Sequence, residues 1–313
     1  MIHSAEMKSA GDDRLRRLAT YASVCVALAL IIIKLAAYLL TDSVAMLSSL
    51  LDSTLDLIGA GVTVFGVANA LRPPDRDHRY GHGKAEPLAA LAQAAFIAGS
   101  SVLLTYEAIS RFYHPHKLEH EILGYTVMIL AIVLSLFLVG FQHYVTRRTG
   151  SMAIGADKLH YIGDLAVNFM VIAAFALYQM TGIEWFDPLF AILVAAGLIY
   201  SAHHISWHAL NVLMDRELPD SDREKIMSIV RARPMVRGIH DLRTRTDGER
   251  IFIEFHLELD ENMTLKVAHQ VDDAIMNDIR KAFPNADITI HQDPAGIVEE
   301  RLDKQIEVRE AQK

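Results

Sequence analysis

The sequence predicts a six-helix α-helical transmembrane bundle followed by a small cytoplasmic α+β domain with the element order αββαβ. The chain has 313 residues, of which 52% are hydrophobic, and its mean hydropathy is positive. A soluble protein of this length usually has fewer apolar residues and more charged ones. The apolar residues concentrate in long runs before residue 214, whereas the remainder has the composition of a charged globular domain. These observations together predict a membrane domain with a folded extension.

Six stretches are apolar enough to cross a bilayer, which takes about 20 residues in a helix. They are Ala19–Leu40, Val44–Leu71, Glu86–Tyr113, Ile122–Val145, Met152–Met180 and Asp187–Leu213. The first stretch follows a basic cluster, as the apolar part of a signal peptide does. Because it is long enough to span and no small-residue cleavage site follows it, we expect an uncleaved first span.

Lysine and arginine residues in the short loops predict that both termini are cytoplasmic, since such residues are in excess on that side of a membrane. The basic residues on one side are Arg14, Arg16, Arg17, Arg72, Arg76, Arg79, Lys84, Arg147 and Arg148. The opposite loops have little beyond Arg111 and Lys117. The net charge of −8 offers no basic surface for nucleic acid, and the single Cys25 excludes an intramolecular disulfide.

The second and fifth spans each contain a pair of ionisable residues. These pairs are Asp52 with Asp56 and His160 with Asp164. A spacing of four residues places both members of a pair on one face of a helix, one turn apart. Asp56 lies about 12 residues from the outer end of its span, or ~18 Å, and Asp164 lies equally far from the inner end of its own. We therefore expect the two pairs to meet near the middle of the membrane.

Three carboxylates in one place repel each other unless a cation is bound. One Zn²⁺ accepts three oxygens and one nitrogen in tetrahedral geometry, which makes the quartet a candidate transport site. The alternative is a set of hydrogen bonds between packed helices, with the acids protonated. Ionisable groups inside a membrane are usually functional, which favours the metal. Asp157, one turn before His160, is expected nearer the cytoplasmic mouth, where it would guide ions.

The loop after the second span has Asp75, His78 and His82, a carboxylate and two imidazoles of the kind that Zn²⁺ binds. Asp77 can take the place of Asp75 in this interpretation. The alternative is an ordinary solvated loop whose charges set the membrane topology. Histidines of the predicted outer loop can attract metal loosely or simply be polar loop residues; they are His114, His116 and His120.

Residues 215–294 have the pattern of an α+β domain in which helices cover one face of a sheet. The predicted elements are a helix Ser221–Arg231, strands Gly238–Thr246 and Arg250–Leu259, an amphipathic helix Thr264–Phe283 and a strand Asp287–His291. In the second strand apolar residues alternate with polar ones, as in a half-buried strand. The last residues, 295–313, are charged and without periodicity, so we expect a disordered tail there.

The Asp-x-x-x-Asp and His-x-x-x-Asp helices, together with the stretch HRYGHGKAE that runs from His78 to Glu86, resemble the cation diffusion facilitator family. The resemblance covers the chain from the first span to about Pro294 and is closest to bacterial zinc exporters of the YiiP type. It implies a homodimer, metal export coupled to protons, and a metallochaperone-like fold for the cytoplasmic domain. It also implies that the loop from Asp75 to His82 forms a second metal site.

The same resemblance implies residue roles in and near the cytoplasmic domain. The implied metal ligands are His240, His256, His269, His291 and Asp293. Lys84 and Asp215 match an ion pair between subunits at the boundary of membrane and cytoplasm. Leu159, beside His160, is a candidate hydrophobic gate, with ordinary helix packing as the alternative. Lys34 in the first span is either a buried ion-pair partner or a side chain that extends to the membrane surface.

The expected function is export of Zn²⁺ across a bacterial inner membrane by alternating access, in exchange for protons. Fe²⁺ and Cd²⁺ remain alternative substrates, whereas Mn²⁺ prefers more oxygen ligands than this set offers. A membrane metal sensor that does not transport is a further alternative. An intramembrane metalloenzyme is disfavoured, because the chain has no His-Glu-x-x-His motif and the four-ligand site has no open position for chemistry.

Overall fold

A computed structural model describes residues 2–41, 44–113, 122–183, 185–296 and 301–312. The chain divides into two compact units, Met1–Leu210 and Asn211–Lys313, which are considered separately below. The sequence predicts the corresponding boundary after residue 214. The outer-loop histidines His114, His116 and His120 lie outside the described residues.

Six long helices form the membrane unit. They are α1 (Ile2–Thr41), α2 (Val44–Ala70), α3 (Ala85–Tyr113), α4 (Ile122–Thr149), α5 (Met152–Thr181) and α6 (Phe186–Leu213). All six are long and apolar enough to cross a membrane, which confirms the predicted spans. The first and fourth helices begin or end well beyond their apolar stretches, because charged residues continue the helix past the hydrocarbon segment.

Small residues allow the first five helices to pack closely. A buried cluster joins Ala19, Val67, Ala89, Val145 and Ala153, one residue from each of α1 to α5. A methyl group added at Gly66 on α2 would lie 2.3 Å from the Cβ atom of Ala89 on α3. Close approach of backbones through small residues is the usual basis of helix association in membranes.

A buried ion pair fixes the end of the bundle where α4 passes into α5. Arg16 and Glu86 are almost fully buried, and Arg16 Nη1 lies 3.6 Å from Glu86 Oε1. Arg16 also donates a hydrogen bond to the carbonyl of Thr149 over 3.1 Å, and the backbone N–H of Met152 donates to Glu86 Oε2 over 3.1 Å. The start of α5 is thereby held to α1 and α3, which positions the helix that contains His160.

The second unit has the predicted order αββαβ. Its elements are α7 (Asp220–Arg231), β1 (Gly238–Thr246), β2 (Ile251–Leu259), α8 (Leu265–Ala282), β3 (Ala286–Pro294) and a further helix α9 (Leu302–Ala311). The sheet order is β1-β2-β3, with β1 antiparallel and β3 parallel to β2. Ile253, Phe255 and Leu257 of β2 are buried in one core with Ile275 and Ile279 of α8. This core arises from the alternation that the sequence shows in the second strand.

The segment after Pro294 differs from the predicted disordered tail, since residues 302–311 form α9. Asp241 lies at a β-bulge of β1 with a φ of 51°, a left-handed conformation that aspartate tolerates better than most residues. Its carboxylate accepts hydrogen bonds from the N–H groups of Leu302 and Asp303, each over 3.0 Å. The Asp303 carboxylate in turn accepts from the N–H of Asp241 over 2.8 Å. A helix start needs such acceptors, and here a distant strand provides them.

We expect Asp241→Ala to release α9, at a cost of about 1–2 kcal/mol by analogy with the loss of an N-cap. Burial opposes ionisation of Asp241, but the N–H groups of Asp303 and Leu302 outweigh it and lower the pKa of Asp241 below its ordinary value. A carboxyl group whose pKa is lowered in the fold stabilises it above the unfolded pKa of about 3.9 and loses this effect as pH falls through the folded pKa. Docking of α9 should therefore persist at neutral pH and weaken only in strong acid.

Limited trypsin digestion at neutral pH measures this release, because Arg301 and Lys304 become cleavable when α9 detaches. The matched control is Asp278→Ala, whose carboxylate pairs with Arg233 and Lys281 of the same unit. Faster cleavage in Asp241→Ala than in the control supports the docking. Equal rates in the wild-type chain and both variants would show that α9 is not held by Asp241.

Candidate metal centres

The membrane unit brings together Asp56 of α2 with His160 and Asp164 of α5. Each offers one ligand atom, and these three atoms lie within 4.8 Å of one another. His160 Nε2 is 2.8 Å from Asp56 Oδ1 and 3.9 Å from Asp164 Oδ2. The four-residue spacing accounts for the pair on α5, and the packing of α2 against α5 adds the third ligand. One imidazole and two carboxylates can hold a divalent transition metal.

Asp52 does not belong to this group, although it lies one helical turn from Asp56. Its side chain is exposed, and it interacts electrostatically with Lys34 and with Asp56. Lys34 Nζ donates hydrogen bonds to Ser53 Oγ over 2.7 Å and to the carbonyl of Ser49 over 3.0 Å. Of the four residues that the sequence predicts as one quartet, three candidate ligands are therefore grouped, and Asp52 lies outside the group.

Asp157 is buried with 1% exposure, so it does not line an open mouth as the sequence suggested. Gln93 Nε2 donates to its Oδ1 over 3.1 Å, and Gln142 Nε2 donates to its Oδ2 over 2.6 Å. Gln93 Nε2 is also 3.0 Å from Thr63 Oγ1. The network connects α2, α3, α4 and α5 one turn from His160. Amide side chains within apolar spans were the available signal for it, since a buried amide needs partners.

Leu159 packs beside a buried cluster formed by Ala94 and Ile97 of α3 and Ala202 of α6. These contacts are those of a helix-packing residue in this conformation. A gating role requires a second conformation, so the gate remains a prediction.

A second acid–histidine group lies in the loop between α2 and α3. His82 Nε2 is 3.3 Å from Asp75 Oδ2, and His78 Nδ1 is 3.5 Å from Asp75 Oδ1. The backbone N–H of His78 donates to Asp75 and is the main cause that lowers the pKa of this carboxyl. Of the two acids that the sequence offered, Asp75 joins the group with both histidines, while the N–H of Asp77 donates to Asp75 Oδ1.

The third group forms on the sheet of the second unit, where His240, His256 and Asp293 come from β1, β2 and β3. His256 Nδ1 is 2.8 Å from Asp293 Oδ2, and His240 Nε2 is 3.7 Å from the same oxygen. The strand register produces this arrangement, since His240 pairs with His256 and His256 with His291. Glu258, which the sequence did not single out, has its Oε1 atom 3.2 Å from His240 Nδ1.

Two further predicted ligands, His269 and His291, are not members of this sheet group. His291 is next to the group, with its Nε2 3.2 Å from Asp293 Oδ1 and its ring 4.6 Å from that of His256. His269 on α8 is 70% exposed and lies 3.6 Å from Asp273 of the same helix. It is therefore not brought to the sheet group within one chain.

Family models match both units of the chain. A model of the cation efflux transmembrane domain matches residues 20–214, and a model of the cytoplasmic domain of cation efflux proteins matches residues 218–295. The chain belongs to the cation diffusion facilitator family. The resemblance stated from the motifs is thereby confirmed.

Relatives of this cation diffusion facilitator include proteins named cation-efflux pump FieF. The protein from Shewanella oneidensis is 44% identical over 281 residues, covering 90% of this chain and 95% of the relative. The protein from Cronobacter sakazakii is 41% identical over 285 residues, covering 91% and 95%. The metal-bound C-terminal domain of the CzcD transporter from Thermotoga maritima is 32% identical, covers 25% of this chain and 93% of that chain, and has a TM-score of 0.25.

Divalent metal efflux is therefore the class of activity of this cation diffusion facilitator, and the family consists of transporters rather than enzymes.

The predicted ion pair between Lys84 and Asp215 concerns two subunits. Within one chain, Asp215 Oδ1 lies 3.7 Å from Arg245 Nη1. The pair between subunits stays a prediction.

Proposed function

We propose that this cation diffusion facilitator exports Zn²⁺ from the cytoplasm in exchange for protons. It works by alternating access as a homodimer in a bacterial inner membrane, with both termini in the cytoplasm. The observation that carries the proposal is the group of Asp56, His160 and Asp164 inside two helices that can span a membrane. The names of the relatives, which are cation-efflux pumps, support the direction of transport.

The ligand types favour zinc among the divalent metals. Zn²⁺ binds imidazole nitrogen and carboxylate oxygen in four-coordinate sites. Asp56, His160 and Asp164 supply three such ligands, and Asp52, one turn away on α2, is the residue that would complete the set. Cd²⁺ and Fe²⁺ accept similar ligands, so they are the alternative substrates that a transport assay has to compare.

Proton exchange follows from the chemistry of the ligands. A carboxylic acid or an imidazolium must lose its proton before it binds a metal, so loading releases protons and protonation expels the metal. An imidazole titrates near physiological pH, which makes a histidine suited to this exchange. An inward proton gradient would then drive the metal outward.

The test is zinc flux into proteoliposomes that contain a zinc-sensitive dye, with and without an imposed pH gradient. We expect flux that increases when protons move in the opposite direction. Flux of Fe²⁺ or Cd²⁺ without flux of Zn²⁺ would change the substrate and keep the carrier. Flux that ignores the pH gradient would exclude proton exchange. No flux of any divalent metal by a folded protein would exclude transport and favour a metal sensor.

The sheet group of the second unit is a candidate regulatory zinc site. Its two imidazoles and one carboxylate are ligands that Zn²⁺ binds, and they lie on three paired strands. Metal bound there would link three strands and stabilise the domain, because binding to the folded state alone adds to folding stability. The loop of Asp75, His78 and His82 is the second auxiliary site, and its exposure favours weaker binding.

We expect His256→Ala to weaken zinc binding at the sheet group by at least roughly 100-fold, more than the effect of losing an outer-shell partner. Equilibrium dialysis with metal analysis on the whole protein measures the loss of one bound zinc. The control is Asp278→Ala in the same unit, which should retain wild-type stoichiometry. Unchanged zinc content in His256→Ala would contradict the proposed site.

A further inference from the structure

Lys34 of α1 has its ammonium against α2, the helix that contributes Asp56 to the group of Asp56, His160 and Asp164, called the transport group below. Its ammonium donates to Ser53 Oγ over 2.7 Å, and Ser53 is fully buried with 0% exposure. The second acceptor is the backbone carbonyl of Ser49, one turn earlier on α2. A lysine that extended to the lipid headgroups would direct its ammonium away from the bundle. These contacts therefore exclude that interpretation in favour of a charge held against α2.

The ammonium is placed where it opposes a bound metal. It interacts electrostatically with Asp56, Asp164 and Asp52, the three acids of the transport region. Ser53, its hydrogen-bond partner, follows Asp52 directly in the chain. A positive charge at this place attracts the same carboxylates that a divalent cation needs, and it repels the cation itself. Both effects are large in a site of low dielectric constant.

Asp52 is the predicted ligand that does not lie with the other three. The other three predicted ligands are grouped within 4.8 Å, whereas Asp52 stays outside that group and interacts with Lys34. Lys34 therefore competes with the metal for the fourth acid. A carrier benefits from such competition, because a site that holds its substrate too tightly cannot release it.

We propose that Lys34 is a resident counter-charge that competes with the metal for Asp52 and thereby sets a moderate metal affinity. This inference rests on the proposed function, since it assigns the group around His160 to transported metal. When metal arrives, Asp52 leaves Lys34 and becomes a ligand. When metal leaves, Lys34 recovers Asp52 and neutralises part of the charge of the empty site. Lys34 is thus an affinity-setting residue that does not itself ligate the metal.

The test compares Lys34→Met with Lys34→Arg in the whole protein. Zinc affinity is measured by calorimetric titration in detergent, with the sheet group disabled by His256→Ala so that it does not dominate the signal. We expect Lys34→Met to bind zinc about tenfold more tightly at the transport site, because a repelling charge is lost. In flux assays its KM and its kcat should both fall, since release slows. Lys34→Arg keeps the charge and should stay near the wild type.

The matched control is Lys158→Met, which removes the same charge from another spanning helix, where the ammonium interacts with Arg147 and not with Asp52, Asp56 or Asp164. A structural role for Lys34 would weaken binding in Lys34→Met, opposite to the expected gain, and would overturn the proposal. So would an unchanged affinity, or an equal gain in Lys158→Met.

The link to Asp52 is tested by adding Asp52→Asn to Lys34→Met. If Lys34 acts through Asp52, a double-mutant cycle should show coupling, with most of the affinity gain absent from the double variant. A full gain in the double variant would remove Asp52 from the proposal. A failure of the proposed transport function would look different. The wild-type protein would then bind zinc but move none into proteoliposomes, while Lys34→Met would still bind zinc more tightly than the wild type.

Discussion

Asp56→Asn should reduce zinc flux at least about 100-fold, which corresponds to ~2.7 kcal/mol at about 1.36 kcal/mol per factor of ten. Asp56 is the candidate ligand that α2 contributes to the group, and its Oδ1 atom lies 2.8 Å from His160 Nε2. Asparagine has nearly the same shape but carries no charge. The remaining ligands would then offer too little negative charge to replace the hydration shell of the metal. Initial rates of dye response at equal protein reconstitution measure the effect.

The control for this variant is Thr54→Val on the same helix. Thr54 is exposed, and its hydroxyl donates to the carbonyl of Leu50 within α2. Its replacement removes a polar group from the same span without altering the acid–histidine group, so we expect near wild-type flux. Wild-type flux in Asp56→Asn would show that transport does not need Asp56 as a ligand.

Asp157→Ala should destabilise the membrane unit by roughly 1–3 kcal/mol for each buried amide that loses its acceptor. Two glutamine amides, from Gln93 and Gln142, donate to the Asp157 carboxylate at the centre of four packed helices. Alanine removes both acceptors and leaves a small cavity. The measurement is the temperature at which the detergent-solubilised protein ceases to be monodisperse, compared with that of the wild type.

Asp157→Asn provides a milder comparison. Within the described part of the chain, the Gln142 Oε1 atom is buried and makes no hydrogen bond. A rotation of the Gln142 amide would let this oxygen accept from an asparagine at position 157, so the network can be rebuilt. We expect a cost below about 1.5 kcal/mol, within the range of one hydrogen bond. An unchanged melting temperature in Asp157→Ala would show that the network does not stabilise the bundle.

The number and approximate positions of the spans follow from the sequence because they depend on local properties. Hydrophobic length decides whether a segment can cross a bilayer, and alternation in β2 decides which strand face is buried. The pairing of His160 with Asp164 is likewise local, since both lie on one helix at a spacing of one turn. The confirmed family membership rests on the same two helices and on the motif at the start of α3.

The sequence by itself determined six spanning helices, an αββαβ domain and the residue types suited to a divalent metal. The tertiary structure decided which of those residues meet: three of the four candidate intramembrane ligands are grouped, Asp52 lies outside that group, and Asp157 lies in an amide network. It also decided that residues 302–311 form a helix held by Asp241. The reason is distance along the chain. Asp56 and His160 are 104 residues apart, so their contact depends on how α2 packs against α5, and no local pattern contains that information.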